Sequence, residues 1–85
     1  MVHVTCVKAL PGYRIAVEFS DGVRGEVGLE KELWGPAFEP LKDPDLFARV
    51  GIDDYGAVCW PNGADLDPDA LHMRVVKANH VRPVG

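Results

Sequence analysis

The stretch Tyr13-Arg14-Ile15-Ala16-Val17-Glu18-Phe19-Ser20-Asp21-Gly22-Val23-Arg24-Gly25-Glu26-Val27 decides the fold class. Tyr13, Ile15, Val17 and Phe19 alternate with Arg14, Ala16, Glu18 and Ser20. A period of two places the four large apolar side chains on one face of a strand. Asp21-Gly22 follows at once, the dipeptide favoured in two-residue hairpin turns because both central positions need positive φ. Val23, Val27 and Leu29 resume the alternation, so the stretch reads as an antiparallel hairpin. Gly25 falls on the inward register of the returning strand, where a missing side chain marks a bulge or the close approach of something bulky.

Toward the N-terminus, Val2 to Ala9 is rich in β-branched residues and ends at Leu10-Pro11-Gly12, a turn whose glycine accepts positive φ. This adds a strand. Toward the C-terminus, Leu29 to Trp34 carries helix formers, but Gly35-Pro36 stops it after little more than one turn, leaving a connector. Lys42 to Val50 reads as a helix start: Asp43 caps it, Pro44 suits the first helical position, and Asp45 favours the positive end of the dipole. Leu46, Phe47 and Val50 are expected to face the sheet. Gly51-Ile52-Asp53 and Ala57 to Trp60 flank Asp54-Tyr55-Gly56, giving a second hairpin. The class is α+β: a small antiparallel sheet of two hairpins plus the N-terminal strand, packed with two or three short helices.

The segment Trp60-Pro61-Asn62-Gly63-Ala64-Asp65-Leu66-Asp67-Pro68-Asp69 has a structural and a binding reading. Asn62-Gly63 is a turn pair, and Asp67-Pro68-Asp69 repeats the helix start of Asp43-Pro44-Asp45. With Asp67 as N-cap, Leu66 and Leu71 occupy the positions of a hydrophobic staple. Gly63, Asp67 and Pro68 therefore form a structural corner leading from strand to helix, and Asp65 is available to backbone amides. In the binding reading, Trp60, Asn62 and Asp65 are the candidate residues, since Trp offers a rigid apolar face beside polar groups. The D-x-D-x-D spacing of Asp65, Asp67 and Asp69 does not make a calcium loop, because Ala70 and Val76 stand where glycine and glutamate are required. Leu71, Val75 and Ala78 fit one helix face, Met73 and Val76 fall off it, and residues 79–85 read as a loose tail.

Eighty-five residues make one domain's worth, spanning 1–85 with a compact part of about 2–78. The chain is 47% hydrophobic and 26% charged, which suits a globular protein and not a disordered one. It contains no apolar run long enough to span a membrane and no signal peptide at the start, so a cytoplasmic location is expected. The net charge of −4 is unevenly spread: residues 39–69 carry 2 basic and 8 acidic groups, residues 70–85 carry 3 and 0. Overall negative charge argues against a protein held on nucleic acid by its own field, and the basic tail of Arg74, Lys77 and Arg82 is too sparse to reverse that. Cys6 and Cys59 lie in apolar strand-like runs and are expected as buried free thiols. His3, His72 and His80 show no ligand spacing, so no metal and no cofactor is expected. No catalytic motif joins a nucleophile to a base, and the chain reads as a non-enzyme.

Phe19-x-Asp21-Gly22-x-x-Gly25-x-Val27, Leu41-x-Asp43 with Phe47 and Val50, and Trp60-Pro61-Asn62-Gly63-Ala64-Asp65-Leu66 with Asp69 and Leu71 together resemble the small bacterial family known as domain of unknown function 2442. The similarity spans roughly residues 2–72, and the W-P-N-G-A-D-L segment is its most specific part. His72 stands where that family usually has tyrosine. The resemblance implies an α+β domain with an antiparallel sheet. Some members carry a C-terminal helix-turn-helix, which this chain, ending soon after the motif, is expected to lack; others are encoded beside another small protein in a toxin–antitoxin-like arrangement. The leading expectation is therefore a non-catalytic protein-binding or regulatory module, an antitoxin-like or accessory partner of a neighbouring small protein. The alternatives are a dimeric DNA-associated transcriptional regulator and a small-molecule-binding domain with a pocket near Trp60. The partner expected first is another small protein, then a second copy of the chain.

Overall fold

The computed structural model describes residues 2–80. Strands β1 (Val4–Leu10), β2 (Arg14–Phe19) and β3 (Arg24–Gly28) form an antiparallel sheet in the order β1-β2-β3. The alternation holds: Ile15, Val17 and Phe19 are buried, and Arg14 and Glu18 are exposed. Register pairs Ile15 with Val27 and Val17 with Gly25. A Cβ at Gly25 would lie 2.9 Å from Val75 Cγ1, so its bare backbone is what lets helix α3 (Pro68–His80) settle on β3.

In β1, Val4 opposes Phe19 but Cys6 opposes Glu18, which leaves Thr5 as the extra residue of a bulge. The bulge shifts the inward set to Val4, Val7 and Ala9. Simple alternation would have put Cys6 on Val4's face; instead Cys6 is exposed, and the expectation of a buried thiol there is wrong. Cys59 is half-buried, and both thiols are free.

From β3 the chain passes through a 3-10 turn (Glu30–Glu32), α1 (Gly35–Phe38), a second 3-10 turn (Glu39–Lys42) and α2 (Pro44–Phe47). Asp43 caps α2 by accepting the Asp45 N–H at 3.0 Å, with Pro44 next to it. Phe47 is buried and Leu46 and Val50 are half-buried. The second sheet follows, β4 (Gly51–Ile52), β5 (Val58–Cys59) and β6 (Asp65–Leu66), antiparallel in that order. The α+β class is as expected, but the strands divide into two three-stranded sheets, and Asp65-Leu66 is a strand before the corner. Two residues are too few to show a period, which is why the sequence hides β6.

Three hairpins share one turn. Phe19 N–H donates to Val23 O (2.8 Å) and Gly22 N–H to Phe19 O (2.9 Å). Asp53 to Ala57 (2.9 Å) with Gly56 to Asp53 (3.0 Å), and Trp60 to Ala64 (2.9 Å) with Gly63 to Trp60 (3.1 Å), repeat the pattern. Each is a three-residue loop closed by a left-handed glycine: Gly22 at φ 87°, Gly56 at 77° and Gly63 at 92°. The Asp21-Gly22 turn is thus longer than the two-residue form its dipeptide suggests. Asp21 does not need positive φ; its carboxylate accepts the Val23 N–H at 3.0 Å and fixes the loop from the side.

The core joins both sheets and α3 in one buried cluster that includes Val4, Ile15, Phe19, Val58, Trp60, Leu71 and Val75. The sheets meet where Val4 N–H donates to Gly56 O at 2.8 Å. Asp67 caps α3 through the Ala70 N–H at 3.0 Å, and Leu66 and Leu71 both join the core. The helix runs to His80, taking in residues 79 and 80 of the expected loose tail. Its buried contacts are Leu71 and Val75; Ala78 and Asn79 are both exposed, and of the two it is Asn79 that reaches the sheet, its Nδ2 donating to Arg24 O at 3.3 Å. Residues 81–85, with Arg82 and the rest of the expected loose tail, lie outside the described residues. Among the described residues, no helix is long and apolar enough to cross a membrane.

Candidate functional site

The turn Pro61-Asn62-Gly63 reaches beyond its own hairpin. Asn62 Oδ1 accepts the Ala64 N–H at 3.2 Å, and its Nδ2 donates to Ala37 O, 25 residues away, at 2.8 Å. Trp60 just before the turn is 3% exposed, and its indole N–H donates to Phe47 O at 3.0 Å. Its ring meets Phe38 edge-on at 6.2 Å and lies tilted against Phe47 at 5.8 Å. Trp60 and Asn62 thereby hold α1 from behind, one through the Phe38 ring and one through the Ala37 carbonyl.

Ahead of α1 the backbone reverses. Trp34 is extended (φ −139°, ψ 162°), Gly35 takes φ 87°, and Pro36 starts the helix. This geometry leaves the Trp34 side chain 73% exposed. Between α1 and β6 lies a groove of about 500 Å³ lined by apolar Leu29, Trp34, Pro36, Phe38 and Leu66, with the acids Glu32, Asp65 and Asp67 among them.

The acids differ in what holds them. Asp67 is engaged in the α3 cap. Glu32 receives both guanidinium nitrogens of Arg74, at 2.6 and 2.8 Å, while the same Arg74 reaches Gly28 O at 3.3 Å. Both side chains of that pair are over 40% exposed, so the bidentate geometry orients Glu32 more than it adds stability. Asp65 is exposed, and its carboxylate has no hydrogen-bond partner among the described residues, the backbone amides it was expected to serve included. Burial pushes the Cys59 thiol pKa up, with Asp53 and Asp65 adding to the rise. In the first turns of α3, His72 Nε2 meets Asp21 Oδ2 at 2.8 Å and sits edge-on to Phe19 at 4.8 Å. The Val23 N–H, then His72, hold the Asp21 carboxyl below the ordinary aspartate range against the opposing effect of desolvation.

Of the candidate binding residues, Trp60 is a buried post, Asn62 a clamp and Asp65 a part of the groove's lining; they share a region without converging on one point. Gly63, Asp67 and Pro68 lie at the turn and helix start. In the basic set, Arg74 is tied to Glu32, Lys77 is exposed on α3, and Arg82 is outside the described residues. Among the described residues, no three His, Cys, Asp or Glu side chains cluster in a way that could hold a metal. Sequence reasoning missed Trp34 as a surface residue, along with Leu29, Phe38 and Leu66 around it. The available signal was an aromatic in the breaker segment Trp34-Gly35-Pro36, outside any alternating run.

The fold and site define a small α+β domain of two three-stranded antiparallel sheets with an apolar groove beside a short helix. The chain belongs to the family described as protein of unknown function (DUF2442), whose model matches residues 4–76. It is similar to the crystal structure named "Putative DNA Binding Protein NE0471" from Nitrosomonas europaea ATCC 19718, with 36% identity and a TM-score of 0.65. That match covers 72% of this chain and 41% of the Nitrosomonas chain, so this chain spans less than half of that protein. A comparison with curated proteins finds no match.

Proposed function

We propose that this chain is a non-catalytic module that binds another protein through the groove beside Trp34, as the regulatory or accessory partner of a second small protein. One observation supports this most: an indole 73% exposed, held in place by a backbone reversal, beside an apolar groove. Exposed apolar patches of this kind mark interaction sites, and Trp is the residue type most enriched among binding hot spots. The acid-rich segment 39–69 favours a basic partner and speeds its approach.

The test is co-expression with the product of the adjacent gene, followed by size-exclusion chromatography. The pair is expected to co-elute, and Trp34→Ala to separate it while the variant itself stays folded. Separate elution of the wild-type pair contradicts the proposal.

A second reading, a dimeric DNA-associated regulator using Arg74, Lys77 and Arg82, draws support from the name the Nitrosomonas protein carries. Charge opposes it, since the chain is at −4 and Arg74 is engaged by Glu32. Duplex titration near about 50 mM salt, where phosphate contacts are strongest, decides: no affinity there removes this reading.

A further inference from the structure

We infer that the Trp34 groove takes an extended, proline-containing segment of another protein that also carries a lysine or arginine. The inference rests on the protein-binding reading above and adds the class of ligand. Three modes of peptide recognition are open to a groove: strand addition, a docked amphipathic helix, or a polyproline-type segment. Strand addition needs a run of unpaired backbone groups, and the adjacent strand β6 is two residues long. A docked helix has its backbone carbonyls bonded within itself, so it offers no acceptor to an isolated donor in the groove. A polyproline segment is free of both limits. It keeps its backbone carbonyls unpaired and its proline rings outward, so it packs on aromatic faces and accepts bonds from isolated donors.

The groove supplies both. Trp34 and Phe38 give aromatic surface, and the Trp34 indole N–H is a donor with no partner among the described residues. Phe38 is braced from behind by Trp60, so its part of this surface is formed before any ligand arrives. Beside it Asp65 is a carboxylate without a polar partner, placed to receive a cationic side chain at the groove's edge.

The experiment is a titration of the isotope-labelled protein with a short synthetic peptide of repeated proline and leucine ending in two arginines, followed by amide and indole chemical shifts. Shifts are expected at Leu29, Trp34, Phe38, Asp65 and Leu66, with the Trp34 indole N–H among the largest. Replacing the arginines by glutamates should weaken binding about tenfold, the scale of two rim charges reversed. Replacing the prolines by glycines should weaken it further, and Trp34→Ala should abolish it with the remaining spectrum unmoved. No groove shifts at about millimolar peptide, or equal affinity for the glutamate peptide, overturns the inference. A concentration-dependent mass that Trp34→Ala abolishes would put a second copy in the groove and also overturn it. Co-elution with the adjacent gene product survives any of these failures, so the two proposals fail separately.

Discussion

The two sheets close on the same glycine-ended turn yet stand on different supports. In the first, strands of 7, 6 and 5 residues build a ladder whose inward side chains bury Ile15, Val17, Phe19 and Val27. In the second, every strand has 2 residues, too few for a ladder to hold by itself. Side chains bonded to backbone hold it instead: Asp53 within its turn, Trp60 to Phe47, and Asn62 to both Ala64 and Ala37. The first sheet also bonds to its neighbours, through Asn79 to Arg24 O and Arg74 to Gly28 O, but its own ladder carries it, whereas the second relies on bonds to its neighbours. The groove forms where those outward bonds fix α1, so the weaker sheet is the one that shapes the site.

The largest effect that tests this contrast is Trp60→Ala, expected to cost about 3–5 kcal/mol in urea unfolding because it empties the space behind Phe38 and Phe47. A loss below about 1 kcal/mol would mean that the second sheet does not depend on its buried indole. Next is Gly56→Ala, where a Cβ would lie 2.2 Å from His3 Cβ at a backbone of φ 77°. The clash with the chain at the junction of the sheets, added to the strain, should cost about 3 kcal/mol. Gly63→Val is strained by φ 92° but meets no neighbour, so it should cost less than Gly56→Ala and more than Asp65→Ala, which removes an exposed carboxylate that bonds nothing among the described residues. Melting temperatures of the three variants in another order would break the turn assignments.

The smallest effect belongs to the first sheet. Asp21 has its pKa lowered in the fold, chiefly by the Val23 N–H and also by His72. Its contribution is therefore present above the unfolded-state aspartate pKa and is lost as pH falls through the folded value. Stability curves from neutral pH into acid should fall less steeply for Asp21→Asn than for the wild type, and identical acid limbs would contradict the role given to the Val23 bond.

What the sequence discloses follows the same division. Tyr13 to Phe19 alternates for long enough to declare its strand, and Gly25 signals the close approach that Val75 makes. Asp43 and Asp67 announce their helices because capping is local chemistry. The bulge at Thr5 is invisible, since nothing in Val4-Thr5-Cys6 requires it, and so Cys6 points to solvent against expectation. The site is only half legible for a similar reason. Trp60, Asn62 and Asp65 stand out as residue types, but the bond from Asn62 to Ala37 spans 25 positions and leaves no local pattern. Trp34 gains its meaning only from the reversal at Gly35.

The claim on which the rest depends is that the second sheet's turn, through Asn62, holds the groove in shape. Native-state amide hydrogen exchange on Asn62→Ala tests it most directly. Faster exchange at the amides of Phe38, Glu39 and Ala64, with Ile15, Val17 and Phe19 unchanged from the wild type, is the predicted result. Equal acceleration across both sheets, or no change along α1, would contradict it.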